Sequence, residues 1–169
     1  MKDIFNLTEH KNKGQATLEL ALVLPIFMIL LLGVFEISFL FFTNVSVANA
    51  SREAARYAAS SGCPNSTACV ATDVHYYQDC TGIINRAISK SPGAGLQAAN
   101  IEIKYDKGPK IDGTVDADAR VCSPTVVMAT GDRVVITVTK QFNLIVPIPG
   151  LKNFPIVSTT YRTYLGQVN

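Results

Sequence analysis

From Leu20 to Phe42 the chain reads LALVLPIFMILLLGVFEISFLFF, about 23 residues interrupted by a single charge, Glu36. A run of that length and character predicts a helix that crosses a bilayer, and it constrains everything around it. The 169 residues leave room for one ordinary domain beside it. The run also explains why the chain is 48% hydrophobic and only 17% charged. Lys11 and Lys13 are the nearest basic groups on its N-terminal side, so the positive-inside tendency keeps that short end in the cytoplasm and places the bulk of the chain outside. A net charge of +2 supplies no concentrated basic face, which argues against nucleic acid as a partner.

All four cysteines, Cys63, Cys69, Cys80 and Cys122, follow the apolar run, on the side where an oxidising compartment lets them pair. Three connectivities are open; Cys63 with Cys69 around Pro64, and Cys80 with Cys122, is the preferred one.

Residues 1–14 are mixed and polar and read as a short leader. A continuous helix is expected over 15–61, membrane-spanning at about 20–42 and amphipathic over 43–61. At that size it would be roughly 70 Å long, so only part of it fits in lipid. Val47, Ala50, Ala54 and Ala58 share one side of its outer part, and Asn49, Arg52, Glu53, Arg56 and Ser60 another. Gly62, Cys63 and Pro64 form a stop. Residues 62–169 then make an extracytoplasmic domain. Its second helix is expected over Asp73–Ser89, capped by Thr72 or Asp73 and ended by Ser91, Pro92 and Gly93, with Gly82 unfavourable in its middle. Alternation predicts three strands, around Ile101–Tyr105, Val134–Val138 and Val157–Leu165. Residues 107–124 and 143–155, rich in Gly, Pro and Asp or in Pro and Gly, read as connections. The expected fold is α+β: a long N-terminal transmembrane helix whose outer half packs, with a second helix, on an antiparallel sheet of about three strands.

Gly14-Gln15-Ala16-Thr17-Leu18-Glu19 stands at the cytoplasmic border of this helix and is similar to a prepilin processing site of the type IV pilin class. The longer segment GQATLELALVLPIFMILLLGVFEISFLFFTNVSVANASREAARYAASSG resembles the TadE-like family of pilus assembly proteins. The resemblance rests on Glu19, Pro25, the Gly33–Glu36 portion and the alanine-rich stretch Ser51–Ala59 that contains REAAR, and it covers about the first third of the chain. It implies a type IV pilin-like minor pilin or pseudopilin of the tight-adherence (Tad, Flp-type) pilus system, with a structural and adhesive role and no enzymatic one. A membrane aspartyl prepilin peptidase would cut after Gly14, making Gln15 the first mature residue and Glu19 the fifth. The implied partners are the membrane, that peptidase, other Tad pilins or pseudopilins and the inner-membrane assembly platform. The implied location is the bacterial inner membrane, single-pass, or the assembled pilus. Leu20 stands where the leader pattern of this group commonly has an aromatic, so an anchored assembly factor with an uncut leader stays open.

A carboxylate near lipid is costly unless paired, and the Gln15 amine exposed by cleavage could neutralise Glu19. Glu36 is either a subunit contact or an interfacial residue of a tilted helix. Pro25 is either a tolerated membrane proline or a useful kink. Arg52, Glu53 and Arg56 are candidates for partner contact, set against a solvated face with a Glu53–Arg56 pair.

Catalytic and cofactor chemistry have little to build on. The two histidines, His10 and His75, fall on opposite sides of the span. Cys63, Cys69, His75 and Cys80 are spaced unlike a zinc motif, Asp112, Asp116 and Asp118 lack EF-hand order, and there is no phosphate-binding loop or GxSxG. No metal, cofactor or catalytic residue is assigned, and Asn65-Ser66-Thr67 is not taken as a glycan site. The main competing interpretation uses Ala48-Asn49-Ala50 as a signal-peptidase site, releasing a soluble binding or enzymatic domain that starts at Ser51.

Overall fold

A computed structural model describes residues 9–65, 69–70, 73–108, 120–144 and 153–166, with side chains from Gly14 onward. Two units divide the chain, residues up to Leu40 with 144–151, and residues 41–143 with 152–169. Helix α1 spans Glu9–Ala58 and contributes to both.

In the first unit, from Leu20 to Leu40, α1 is apolar around its circumference apart from Glu36 and Ser38. Leu22, Phe27, Ile29, Phe35 and Ile37 are all exposed, and the most apolar 18-residue window has a mean hydropathy of 2.7 with none of it buried. A helix apolar on every side needs an apolar surrounding, and this one is long enough to cross a membrane. It runs through Pro25 without ending. Ser38 folds its hydroxyl back onto the Val34 carbonyl at 2.8 Å, which hides a polar group from the surroundings.

The second unit is built on a four-stranded antiparallel sheet. Its strands are β1 (Ile101–Asp106), β2 (Arg120–Val121), β3 (Arg133–Phe142) and β4 (Phe154–Thr163), in the order β2-β1-β3-β4. Three of these lie where alternation placed them. The two-residue β2 falls in a stretch expected to be a connection, and it is too short to carry a period of its own. Asp112, Asp116 and Asp118 lie outside the described residues.

Register gives the sheet one buried face. Ile101, Ile103 and Tyr105 stand opposite Val138, Ile136 and Val134, and all six are buried. Burial of side chains of this size stabilises by about 1.5–3 kcal/mol each. The outer part of α1 supplies Val47, Ala50, Ala54, Ala55 and Ala58, all fully buried, and their small side chains permit close approach. Ser51 is buried among them; its Oγ lies 2.9 Å from both Ser158 Oγ and Thr160 Oγ1 on β4. Glycine supplies the exit from α1: Gly62 has φ +105°, a conformation that side-chain-bearing residues rarely adopt.

The second helix, α2, spans Cys80–Ser89 and packs on β1. It starts later than its sequence pattern indicated. Residues Tyr76–Gln78 form a separate 3-10 turn, and Asp79 rather than Asp73 is the N-cap, accepting the Gly82 amide at 2.9 Å. Thr72, the other expected cap, lies outside the described residues, while Asp73 Oδ2 accepts the Val70 amide.

Where β1 meets β3, Arg133 grips Asp106 with both arms of its fork, Nε to Oδ1 at 2.7 Å and Nη2 to Oδ2 at 2.8 Å. The Gly108 amide adds a third bond to Oδ1, and the guanidinium lies 5.0 Å over the Tyr161 ring of β4. Hydrogen bonding from Arg133 holds the Asp106 carboxyl below its usual pKa against the opposing effect of burial. Because the folded-state pKa is depressed, the stabilisation is complete above the unfolded-chain value of about 3.9 and disappears as pH falls through the folded value. Asp106→Asn should therefore cost about 3 kcal/mol at pH 7, since it leaves a mostly buried guanidinium without its counter-charge. Denaturant unfolding of the full chain in micelles should show the gap to wild type narrowing between pH 5 and pH 2. A gap independent of pH would contradict the linkage. At neutral pH, Ala54→Leu should destabilise by about 1–3 kcal/mol through overpacking, read by the same unfolding measurement.

Candidate functional site

The expected processing residues all lie on α1. Gly14, Gln15 and Glu19 are exposed, and a side chain added at Gly14 would meet nothing within 4 Å. The helix includes the Gly14–Gln15 bond and continues N-terminally to Glu9, whereas the sequence pattern started it at Gln15. Glu36 is half-buried within the same apolar segment.

In the second unit α1 has two contrasting sides. The small-residue side is consumed by the core. The other side presents Asn49, Arg52, Glu53 and Arg56, which together with Lys90 line a shallow cleft of about 390 Å³. Arg56 Nη2 lies 3.3 Å from Glu53 Oε2, with the arginine side chain 67% exposed, so the pair stabilises by no more than about half a kcal/mol. These three charges are therefore brought together at a surface and are not required by the core. Lys90 was not legible as part of this group. It is the residue that caps the C-terminus of α2, and only the packing of α2 brings it to α1.

Tyr57, at the end of the REAAR segment, does structural work that its sequence position did not reveal. Its hydroxyl donates to Asp79 Oδ2 at 2.9 Å, and its ring meets Tyr76 edge-on at 4.9 Å. Burial first, and then the hydrogen bond to Asp79, push the phenol pKa up to about 12, so Tyr57 remains a donor at any physiological pH. The Asp79 carboxylate thus joins α1 to the first turn of α2, with one oxygen on Tyr57 and the other on Gly82. Gly82 is unfavourable in a helix as a rule, but here a Cβ would come within 2.0 Å of Asp79 Oδ2 and 2.7 Å of the Tyr57 hydroxyl.

Both expected disulfides are present. Cys63–Cys69 closes a short loop after α1, and Cys80–Cys122 joins α2 to the residue after β2 across a sequence separation of 42. The Tyr105 hydroxyl, held by the Tyr77 carbonyl, also lies 3.0 Å from Cys122 Sγ. His75 Nδ1 is 3.7 Å from Cys63 Sγ, and the ligand atoms of Cys63, Cys69 and His75 lie within 4.8 Å of one another. With the two sulfurs bonded to each other, neither is a thiolate ligand. Cys80 is tied elsewhere, so the four-residue metal set weighed from sequence is not brought together.

Comparison with known proteins agrees with this arrangement. Residues 14–56 match the family model described as TadE-like protein. No curated protein and no solved structure matches the chain. The match begins at Gly14, crosses the exposed apolar segment and ends at Arg56 in the charged group. The family implies a component of Tad pilus assembly, generally non-enzymatic, with partners in the Tad pilus machinery.

Two expectations follow from the geometry. Gly82→Ala should destabilise by about 1–2 kcal/mol by breaking the Asp79 cap, although alanine is the better helix former, and a thermal melt would test the sign. Replacing Cys80 and Cys122 by serine should cost up to roughly 4 kcal/mol, more than replacing Cys63 and Cys69, because the closed loop is longer.

Proposed function

We propose that this chain, TadE-like over residues 14–56, is a minor pilin or pseudopilin processed after Gly14 and assembled with other Tad subunits through α1. The observation that carries this reading is the run of the family match along one helix, from Gly14 through the unburied apolar segment to the charged group at Arg52–Arg56. In this reading the helix anchors the protein in the inner membrane with its N-terminus in the cytoplasm, and the sheet domain, stapled by its disulfides, lies outside. Cleavage leaves Gln15 as the new amino terminus. Its positive charge neutralises Glu19 of a neighbouring subunit, a pairing strengthened by the low-dielectric surroundings. Glu36 supplies a second polar contact between helices, and Arg52, Glu53 and Arg56 meet a partner outside the membrane. Adhesion is the activity of the assembled fibre.

Release of a soluble domain after Ala50, the alternative suggested by Ala48-Asn49-Ala50, fits the fold less well. That bond lies within α1, and cutting it would remove Thr43, Ser46, Val47 and Ala50, all buried within the second unit.

Co-expression with a Tad prepilin peptidase, followed by intact mass and N-terminal sequencing, should give a peptidase-dependent start at Gln15. Glu19→Gln should be processed but should lose at least about tenfold in co-purification with partner pilins, the equivalent of one lost charge contact. A start at Ser51 would overturn the anchored reading. Retention of Met1 in the presence of active peptidase would overturn processing and leave an uncut assembly factor.

A further inference from the structure

Cys80–Cys122 spans a sequence separation of 42 and joins α2 to the residue after β2, with both cysteines half-exposed and the Tyr105 hydroxyl 3.0 Å from Cys122 Sγ. Cys63–Cys69 closes a loop with a separation of only 6, outside any helix or long strand. Within that pair the sulfurs differ. Cys63 is buried, at 5% exposure, whereas Cys69 is half-exposed. His75 Nδ1 stands 3.7 Å from Cys63 Sγ. The histidine is held there: its ring stacks on Tyr77 at 5.2 Å with 6° between planes, its amide donates to Gln78 Oε1, and the neighbouring Tyr76 amide bonds to the Gly62 carbonyl.

We infer that Cys63–Cys69 is a thiol–disulfide exchange site for a dithiol reductant, with Cys69 as the sulfur attacked, Cys63 as the leaving sulfur and His75 as the group that stabilises the departing thiolate. An incoming thiolate can reach the half-exposed Cys69 but not the buried Cys63. It bonds to Cys69 Sγ, the Cys63–Cys69 bond breaks, and the electron pair of that bond goes to Cys63 Sγ. There His75, in the tautomer that carries its proton on Nδ1, donates toward the new charge and lowers the leaving-group pKa, which speeds departure. The second thiol of the reagent, as thiolate, then attacks its own sulfur on Cys69 and displaces Cys69 as a thiolate. The reagent ends as a disulfide, and the pair gains two electrons and takes up two protons. His75 is a positioning and proton-donating residue in this scheme and makes no bond to the reagent.

The test uses the full chain in micelles with glutathione as the attacking thiol, an acid quench, alkylation of free thiols and peptide mapping. As Cys63–Cys69 opens, glutathione should appear on Cys69 and the alkyl group on Cys63. His75→Ala should slow that opening by about tenfold, the effect of a leaving-group pKa raised by two units, and leave Cys80–Cys122 unchanged. A histidine that only packed the loop would, on removal, loosen it and speed the opening. If His75→Ala also exposes Cys80–Cys122, the domain has opened, and His75→Gln, which keeps the size and polarity of the site, replaces it with the same expectation. Glutathione on Cys63, or an opening rate that is unchanged or faster in the histidine variant that leaves Cys80–Cys122 unchanged, would each overturn the inference.

Discussion

One helix must satisfy two different surroundings, and the remaining structure follows from how it does so. From Leu20 to Leu40 its side chains are apolar in every direction apart from Glu36 and Ser38, and none of the most apolar window is covered by protein. Water would penalise that surface by about 25 cal/mol for each Å², and no soluble domain exposes an apolar area of this kind without a partner or a lipid phase. From Phe41 onward the same helix becomes one-sided, with alanine, serine and valine facing the sheet and charges facing away. A change from all-round to one-sided hydrophobicity without any break in helical pattern means that the boundary lies in side-chain chemistry and not in backbone conformation.

The small residues of the outer segment have a further consequence. Alanine contributes little buried area, so close approach must make up in packing contacts what the side chains lack in volume. It also brings backbone and side-chain polar groups near one another, which is why a serine can replace an alanine in the stripe. Ser51 is tolerated at zero exposure because β4 offers Ser158 and Thr160 at hydrogen-bonding distance. Alternation on β4 is correspondingly weaker than on β3. Its inner face carries hydroxyls opposite the buried Ile136 and Val138, and these polar inner positions match the polar residue of the helix.

Periodicity made the long helix, the three long strands and the charged side of α1 legible, because each repeats over enough residues to outweigh chance. What it could not supply came from contacts between residues distant in the chain. Local sequence pointed to Thr72 or Asp73 as the cap, whereas Asp79 caps α2, its carboxylate also hydrogen-bonded by Tyr57, 22 residues earlier. Gly82 looks like a flaw until the same three-way contact shows that no larger residue fits. The two-residue β2 has no pattern to detect and exists because Lys104 and Tyr105 provide an edge to pair with, while Arg120 is held by Asp132 at 2.8 Å. Lys90 joins the Arg52–Arg56 group only through the packing of α2.

The charged residues divide into those that the fold needs and those that it does not. Asp106 is buried and doubly hydrogen-bonded to the half-buried Arg133, which is backed by Tyr161, so their pairing is part of the architecture. Arg52, Glu53 and Arg56 have no such investment. The Glu53–Arg56 pair is exposed and weak, and two arginines four residues apart on one side of a helix repel each other slightly. Stability alone would be served as well by uncharged helix formers at those positions. Charges that contribute so little to their own domain, at the end of a segment matching a pilus-assembly family, are where contact with another subunit has the smallest cost in folding stability.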